Sequence, residues 1–473
     1  MISVKINRIM IAAPKSGSGK TMITCALLQT LKNSGKQVIS YKCGPDYIDP
    51  MFHEKVIGVS AGNLDTFFTD ETRTRELFLS RVSKNNYAVL EGVMGIFDGL
   101  GGVREEGSSY HLAKVTKTPI VFVIDVKGMG RSVIPFIAGF LSYDKENLIQ
   151  GVILNRISKE YYKTIKSLIE EELKIQVIGF LPDKGNFHIE SRHLGLILPN
   201  ELEDIKEKMQ RISEEFCKTV SIECIMKIAE DAEEMEDGEE KNAGVKKQEI
   251  RANEKTMLKE KPIIAVAKDE AFCFYYAENI RMLEEMGADI KYFSPIHDKK
   301  LPEGCHALLL GGGYPELYAE KLNANCMMRT AVKKAVENGM PVVAECGGFM
   351  YLHSALKDKE GISHEMAGVI PAVCFYTGKL VRFGYIELRE NQSYFLPENA
   401  KIKGHEFHYY DSSLNGDDAV AVKPVTGKEY SCMIEDETHF MGFPHLYYPS
   451  NPAFAEQFVK KAEKYRRMEL KKA

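Results

Sequence analysis

Two stretches of this chain hold side chains able to make and break bonds, and each points to its own chemistry. In PVVAECGGFMYL, residues 341–352, a short apolar run ends at Cys346, and Gly347 and Gly348 open the helix-compatible FMYLHSALKD. A strand, a sharp turn and a helix with a thiol at the apex form a nucleophile elbow, whose strained turn demands small neighbours. Backbone N–H groups at a helix N-terminus favour a thiolate, so the position predicts a reactive Cys346. Most cysteines are simply small buried hydrophobes, so the elbow gains weight from what accompanies it. In PKSGSGKT, residues 14–21, Gly19, Lys20 and Thr21 close a phosphate-binding loop. Pro14 stands where the motif usually opens with glycine, but Gly17 and Gly19 still let the backbone wrap phosphate oxygens. Lys20 would meet the β- and γ-phosphates of ATP, the Thr21 hydroxyl a Mg²⁺ ion, and the backbone N–H groups the anion.

Further candidates lie at predicted strand ends. Glu91 closes the apolar run 87–90, the usual place for an acid behind a nucleotide-bound Mg²⁺. Asp46 and Tyr47 follow a strand at 37–42, inside CGPDYIDPMFH. Prolines punctuate that segment as a rigid turn, and ligand contact and turn capping are equal readings of its Asp side chains. GGGYPELY follows the strand Ala307–Leu310, so N–H groups near Gly313 and Gly347 can converge on an oxyanion. His445, just past the strand-like 439–443, completes a set for thiol acyl transfer as the base for Cys346. Among twelve histidines its rivals are His405 and His408, in GHEFHY.

These residues need a scaffold, and the sequence alternates in the way that supplies one. An apolar strand at 6–12 enters the phosphate loop, and Ile23, Ala26, Leu27 and Leu31 then repeat at helical spacing up to Gly35. Strands at 37–42, 87–90, 119–126 and Ile149–Asn155 alternate with helical stretches such as Lys159–Leu173, which argues for a mostly parallel sheet covered on both faces. The segment 180–199, ending SRHLGLILP, has no readable period. From about residue 225 to 260 the chain is charged and poor in apolar residues, the composition of an interdomain linker. The pattern restarts with strands at 262–267 and 290–293, helices at 275–286 and 328–338, extended stretches at 368–389 and 402–410, and a last helix from about 450. Three divisions follow: a nucleotide-type domain over 1–224, a linker over 225–260 and a second α/β domain over 261–473.

Composition excludes several classes. A net charge of -5 without a basic stripe argues against nucleic acid as partner. Ten cysteines without a CxxC pair argue against a zinc site and a disulfide framework. No signal peptide or membrane-spanning run is read in the sequence, so a cytoplasmic, reducing compartment is expected.

Taken together, APKSGSGKT, YKCGPDYIDP, NLDTFF, EGVMGIFDG, GVILNR, RHLGL, LGGGYPELYA, AECGGFMYL and GHEFHY resemble the cobyrinate and cobyric acid synthase type of amidotransferase, in that family's order and over nearly all the chain but the linker. The second half resembles its class I glutamine amidotransferase domain, and the KCGPDYIDP segment favours the a,c-diamide-forming branch. The resemblance implies an α/β architecture: a P-loop NTPase-type, dethiobiotin-synthetase-like domain, then a class I glutamine amidotransferase domain. It also implies an ATP-, Mg²⁺- and glutamine-dependent ligase of cobalamin biosynthesis that amidates the a and c acetate carboxylates of cobyrinic acid, a corrinoid, through acyl phosphates. Carried over, Cys346 is the glutaminase nucleophile and His445 its base. Lys20 and Thr21 hold the nucleotide, Glu91 the metal, and Asn155 lies on the adenine side. Asp46 and Tyr47 fall in the substrate segment. One departure matters: most class I amidotransferases carry a Glu two residues after the catalytic His, and here that position is Tyr447. A backbone carbonyl or Tyr447 itself then orients His445. The same chemistry on hydrogenobyrinic acid or nickel sirohydrochlorin is the narrower alternative. A nucleotide switch with a non-catalytic second half is the alternative from another class.

Overall fold

A computed structural model describes residues 3–183, 202–236 and 261–472, and the chain divides into two compact units, Met1–Asn253 and Glu254–Ala473. In the first, seven parallel strands line up as Ser60–Leu64, Gln37–Cys43, Asn86–Glu91, Asn7–Ala12, Ile120–Asp125, Ile149–Asn155 and Val177–Leu181. Runs such as IVFVI are buried at every position, as strands covered on both faces require. Helix Lys20–Asn33 starts directly from the glycine loop and buries Ile23, Ala26, Leu27 and Leu31. Its apolar face shares one cluster with Met209, Ile212 and Phe216 of helix Leu202–Thr219. Every chemical candidate of this unit falls at or just after the C-terminal end of a strand, where such sheets place their ligands.

Two expectations change here. The CGPDYIDPMFH segment is not only a turn: residues Ile48–Phe52 form a helix that continues as the π-helical His53–Ile57. Pro50 falls in the first turn, where no N–H is needed, and Asp46 accepts from the N–H groups of Ile48 and Asp49 at 2.7 and 3.1 Å. The charged stretch expected to leave the domain at 225 also begins with structure. Helix Ile222–Glu230 buries Ile225 and Ala229, and Met235–Glu236 pairs antiparallel with Ser3–Val4. The fully buried Arg8 fixes this return by donating to the carbonyls of Ile6, Thr116, Lys117 and Glu233. The acidic residues there decorate a helix whose apolar stripe is short. RHLGL and residues 237–260 lie outside the described residues.

The second unit is built on six strands in the order Asp289–Phe293, Ile263–Ala267, Ala307–Leu310, Val342–Glu345, His439–Gly442 and Ile434–Glu435, parallel but for the last. Alternate residues feed two cores: Leu308, Leu310 and Val342 on one face, Ala307, Leu309 and Val343 on the other. The second core is capped by helix Pro452–Lys472 through Phe454 and Phe458, each worth roughly 1.5–3 kcal/mol on burial. A five-stranded antiparallel sheet carries Arg382–Glu390, Ile402–His408 and His445–Leu446. The elbow helix is shorter than expected. It spans only Gly347–Leu352, because His353–Lys357 turns into a strand paired with Ile370–Tyr376. Among the described residues no helix is long and apolar enough to cross a membrane.

Candidate functional site

The first unit holds a cavity of about 850 Å³ lined by Gly17, Gly19, Lys20, Thr21, Asp46 and Asn155, among others. Gly17 and Gly19 take φ of 75° and 98°, values open to glycine but strained for other residues. Asn155 donates from Nδ2 to the carbonyl of Ser18 at 2.9 Å, so it braces the loop directly. Lys20 donates to the carbonyls of Lys15 and Met94 at 3.2 and 2.6 Å. Burial, with the nearby Lys42 ammonium, lowers its pKa to about 8. Thr21 Oγ1 donates to Glu91 Oε1 at 2.5 Å.

Behind this pair stand groups that pattern reading missed. Lys42 faces Glu91 across adjacent parallel strands and approaches its Oε1 at 2.9 Å and Asp49 Oδ2 at 2.6 Å. His53 Nε2 lies 3.5 Å from Glu91 Oε2. Burial raises the pKa of Glu91, but Lys42, His53 and Thr21 outweigh it and hold the carboxyl well below its usual range. Burial and Glu91 push Asp49 up, so Glu91 is the acid that stays ionised. A Mg²⁺ ion fits this donor set, since it is held by one or two hard oxygen groups plus phosphate oxygens. Asp46 spends its carboxylate on capping the helix at 48, and Tyr47 is buried beside it.

In the second unit Cys346 sits between strand Val342–Glu345 and its helix with φ 47° and ψ -101°, a conformation costing about 1–3 kcal/mol. Main-chain bonds hold the elbow: Cys346 N–H donates to Gly442 and Gly348 N–H to Gly311, at 2.8 and 2.9 Å. Gly348 has to be glycine, because a Cβ there would overlap the Leu310 carbonyl. The 312–313 glycines lie against His445 and against Gly347, the residue that follows Cys346. A Cβ on Gly312 would overlap the His445 ring, and a Cβ on Gly347 would stand 3.1 Å from the Gly313 nitrogen. Glu345 adds a further tie by accepting from the Leu446 N–H at 3.3 Å. Asn279 clasps the residues flanking Tyr447: its Nδ2 donates to the Leu446 carbonyl and its Oδ1 accepts from the Tyr448 N–H, both at 2.8 Å.

The expected thiolate is not the resting form. Burial, Glu316 and Glu406 hold the Cys346 thiol up, against the one favourable Gly347 N–H. Burial also lowers His445, with His405 and His408 adding to it, and raises Glu345 to about 8. The thiol, His445 and Glu345 therefore rest neutral beside Glu406, whose carboxyl is held ionised, a tertiary effect that no local motif carries. Of the rival histidines, His408 bonds the Tyr410 carbonyl at 2.7 Å and stacks on Phe443, with Glu406 3.6 Å away. His405 stacks on His445 itself.

Residues 9–196 match the CobQ/CobB/MinD/ParA nucleotide binding domain family, and residues 263–447 the CobB/CobQ-like glutamine amidotransferase domain family. Proteins named cobyrinate a,c-diamide synthase from Caldanaerobacter subterraneus, Thermoplasma volcanium and Listeria innocua are 38%, 35% and 34% identical to this chain. The alignments span 92%, 98% and 96% of this chain and 94%, 98% and 98% of those proteins. The chain belongs to the cobyrinate a,c-diamide synthase family. Membership in the cobyrinate a,c-diamide synthase family makes it a glutamine-hydrolysing ligase with a nucleotide-binding domain, the class and order read from its motifs. The switch with a non-catalytic second half is set aside.

Proposed function

We propose that this chain converts cobyrinate to its a,c-diamide with ATP and glutamine. What supports the reading is that one chain carries both a glycine loop with Lys20 and Thr21, the latter bonded to Glu91, and a thiol elbow at Cys346, with the proposed base His445 against Gly312. A carboxylate is a poor electrophile, since oxide is a poor leaving group. Its oxygen attacks the γ-phosphorus of ATP, ADP departs, and an acyl phosphate forms. Lys20 and the loop N–H groups at Gly17 and Gly19 neutralise the phosphates, and Asn155 borders the adenine side. Thr21 and Glu91 would hold Mg²⁺, which supplies charge neutralisation at the phosphate oxygens when bound. Asp46, at the cavity wall, would border the acid's approach, and the buried Tyr47 would support that segment.

At the elbow, His445 takes the Cys346 proton as sulfur attacks the glutamine carboxamide, and the N–H groups of Gly313 and Gly347 receive the oxyanion. Collapse of the tetrahedral species expels ammonia with the proton from His445, and water then hydrolyses the thioester to glutamate. Ammonia attacks the acyl phosphate, phosphate leaves, and the amide forms. Two rounds give the diamide. The protonated thiol and neutral His445 suit this sequence, because their own charges appear only during attack.

The test is turnover of purified chain with ATP and glutamine against cobyrinate, hydrogenobyrinate and nickel sirohydrochlorin. A diamide with matching ADP and phosphate is expected from cobyrinate. ATP turnover indifferent to every tetrapyrrole acid would overturn the reading.

A further inference from the structure

The position that supplies an orienting carboxylate in other class I amidotransferases is Tyr447 here, so something else must hold the His445 ring. Tyr447 is fully buried and meets Tyr276 edge-on, with ring centroids 5.1 Å apart. Tyr276 in turn places its hydroxyl 3.1 Å from His405 Nδ1. His405 and His445 are paired residues on adjacent antiparallel strands, and their rings stack 5.0 Å apart at 17°. Gly312 leaves no space for the His445 ring to swing toward its own backbone.

We infer that His405, held by Tyr276, is a positioning residue that fixes the plane of His445 and keeps water from it. This rests on the reading of Cys346 and His445 as the glutaminase pair. The stack suits a base that becomes charged in mid-reaction. Burial, with Lys423 adding to it, lowers His405 to about 3, so at working pH it offers an uncharged flat face to the His445 ring. The other charged or titratable groups acting on this pair are Glu406 and His408 from the same strand and Lys423, while Glu345 accepts from the N–H of Leu446, next to His445.

The test compares His405→Ala with His405→Phe in the full chain, using glutamine and ammonium as nitrogen sources. His405→Ala should lower glutamine-dependent kcat about ten- to a hundredfold, the cost of a misplaced catalytic group, and leave ammonium-dependent amidation unchanged. Water admitted around His445 should also move the acidic limb of kcat/KM for glutamine to higher pH. His405→Phe, which keeps the flat face, should recover most of the rate and restore the limb. An unmoved limb in His405→Ala, equal impairment of the two variants, or equal loss with both nitrogen sources would overturn the inference. Cys346→Ser separates the two levels. If it still uses glutamine, the site reading itself fails. If it does not, a silent His405→Ala removes only the positioning role.

Discussion

The two sites solve opposite electrostatic problems. Around the phosphate loop charge is built in: Lys42 stands between Asp49 and Glu91, with Glu91 held ionised in a fully buried position. Around the elbow the thiol, His445 and Glu345 rest neutral, because burial holds the thiol up, His445 down and Glu345 at about 8. The difference follows from what each site must meet. A nucleotide arrives charged and has to find fixed counter-charges in place. A glutamine side chain arrives neutral, so charge in its pocket is needed only while sulfur attacks.

The contrast breaks most sharply at the nucleophile. Cys346→Ser should cut glutamine-dependent amidation more than about 10³-fold and leave amidation with ammonium intact, as steady-state rates with each source will report. Lys20→Ala should lower both by about 10²–10³-fold, since acyl phosphate formation precedes either attack. A rate that recovers with ammonium would contradict the loop's role. Gly348→Ala tests the elbow as architecture. The added methyl meets the Leu310 carbonyl and should cost about 1–3 kcal/mol in denaturant unfolding. Smallest is the effect of Glu345→Gln on pH dependence. Glu345 binds its proton more tightly folded than unfolded, so its stabilisation is full below pH 4.5 and is lost as pH rises through about 8. The glutamine variant should flatten that part of the stability profile. An unchanged slope would place the titration elsewhere.

What the sequence revealed depends on how local the cause is. The phosphate loop was legible because its glycines, Lys20 and Thr21 are contiguous and flanked by a strand and an amphipathic helix. The elbow was legible for the same reason. Lys42 escaped notice because its partners Glu91 and Asp49 meet it only once the strands are in register. The helix at 48–52 was hidden by prolines that read as a turn, and helix Ile222–Glu230 by its acidic neighbours. The thiol's state was misjudged because a short helix N-terminus is outweighed by burial and two carboxyls, neither visible in CGG.

The central claim is that nitrogen freed at Cys346 becomes the amide made at the phosphorylated acid. Mass spectrometry of the diamide formed from amide-¹⁵N glutamine in the presence of unlabelled ammonium tests it most directly. The account predicts ¹⁵N in both new amides from the intact protein and none from Cys346→Ser. Labelled diamide from Cys346→Ser, or unlabelled diamide from the intact protein, would contradict it.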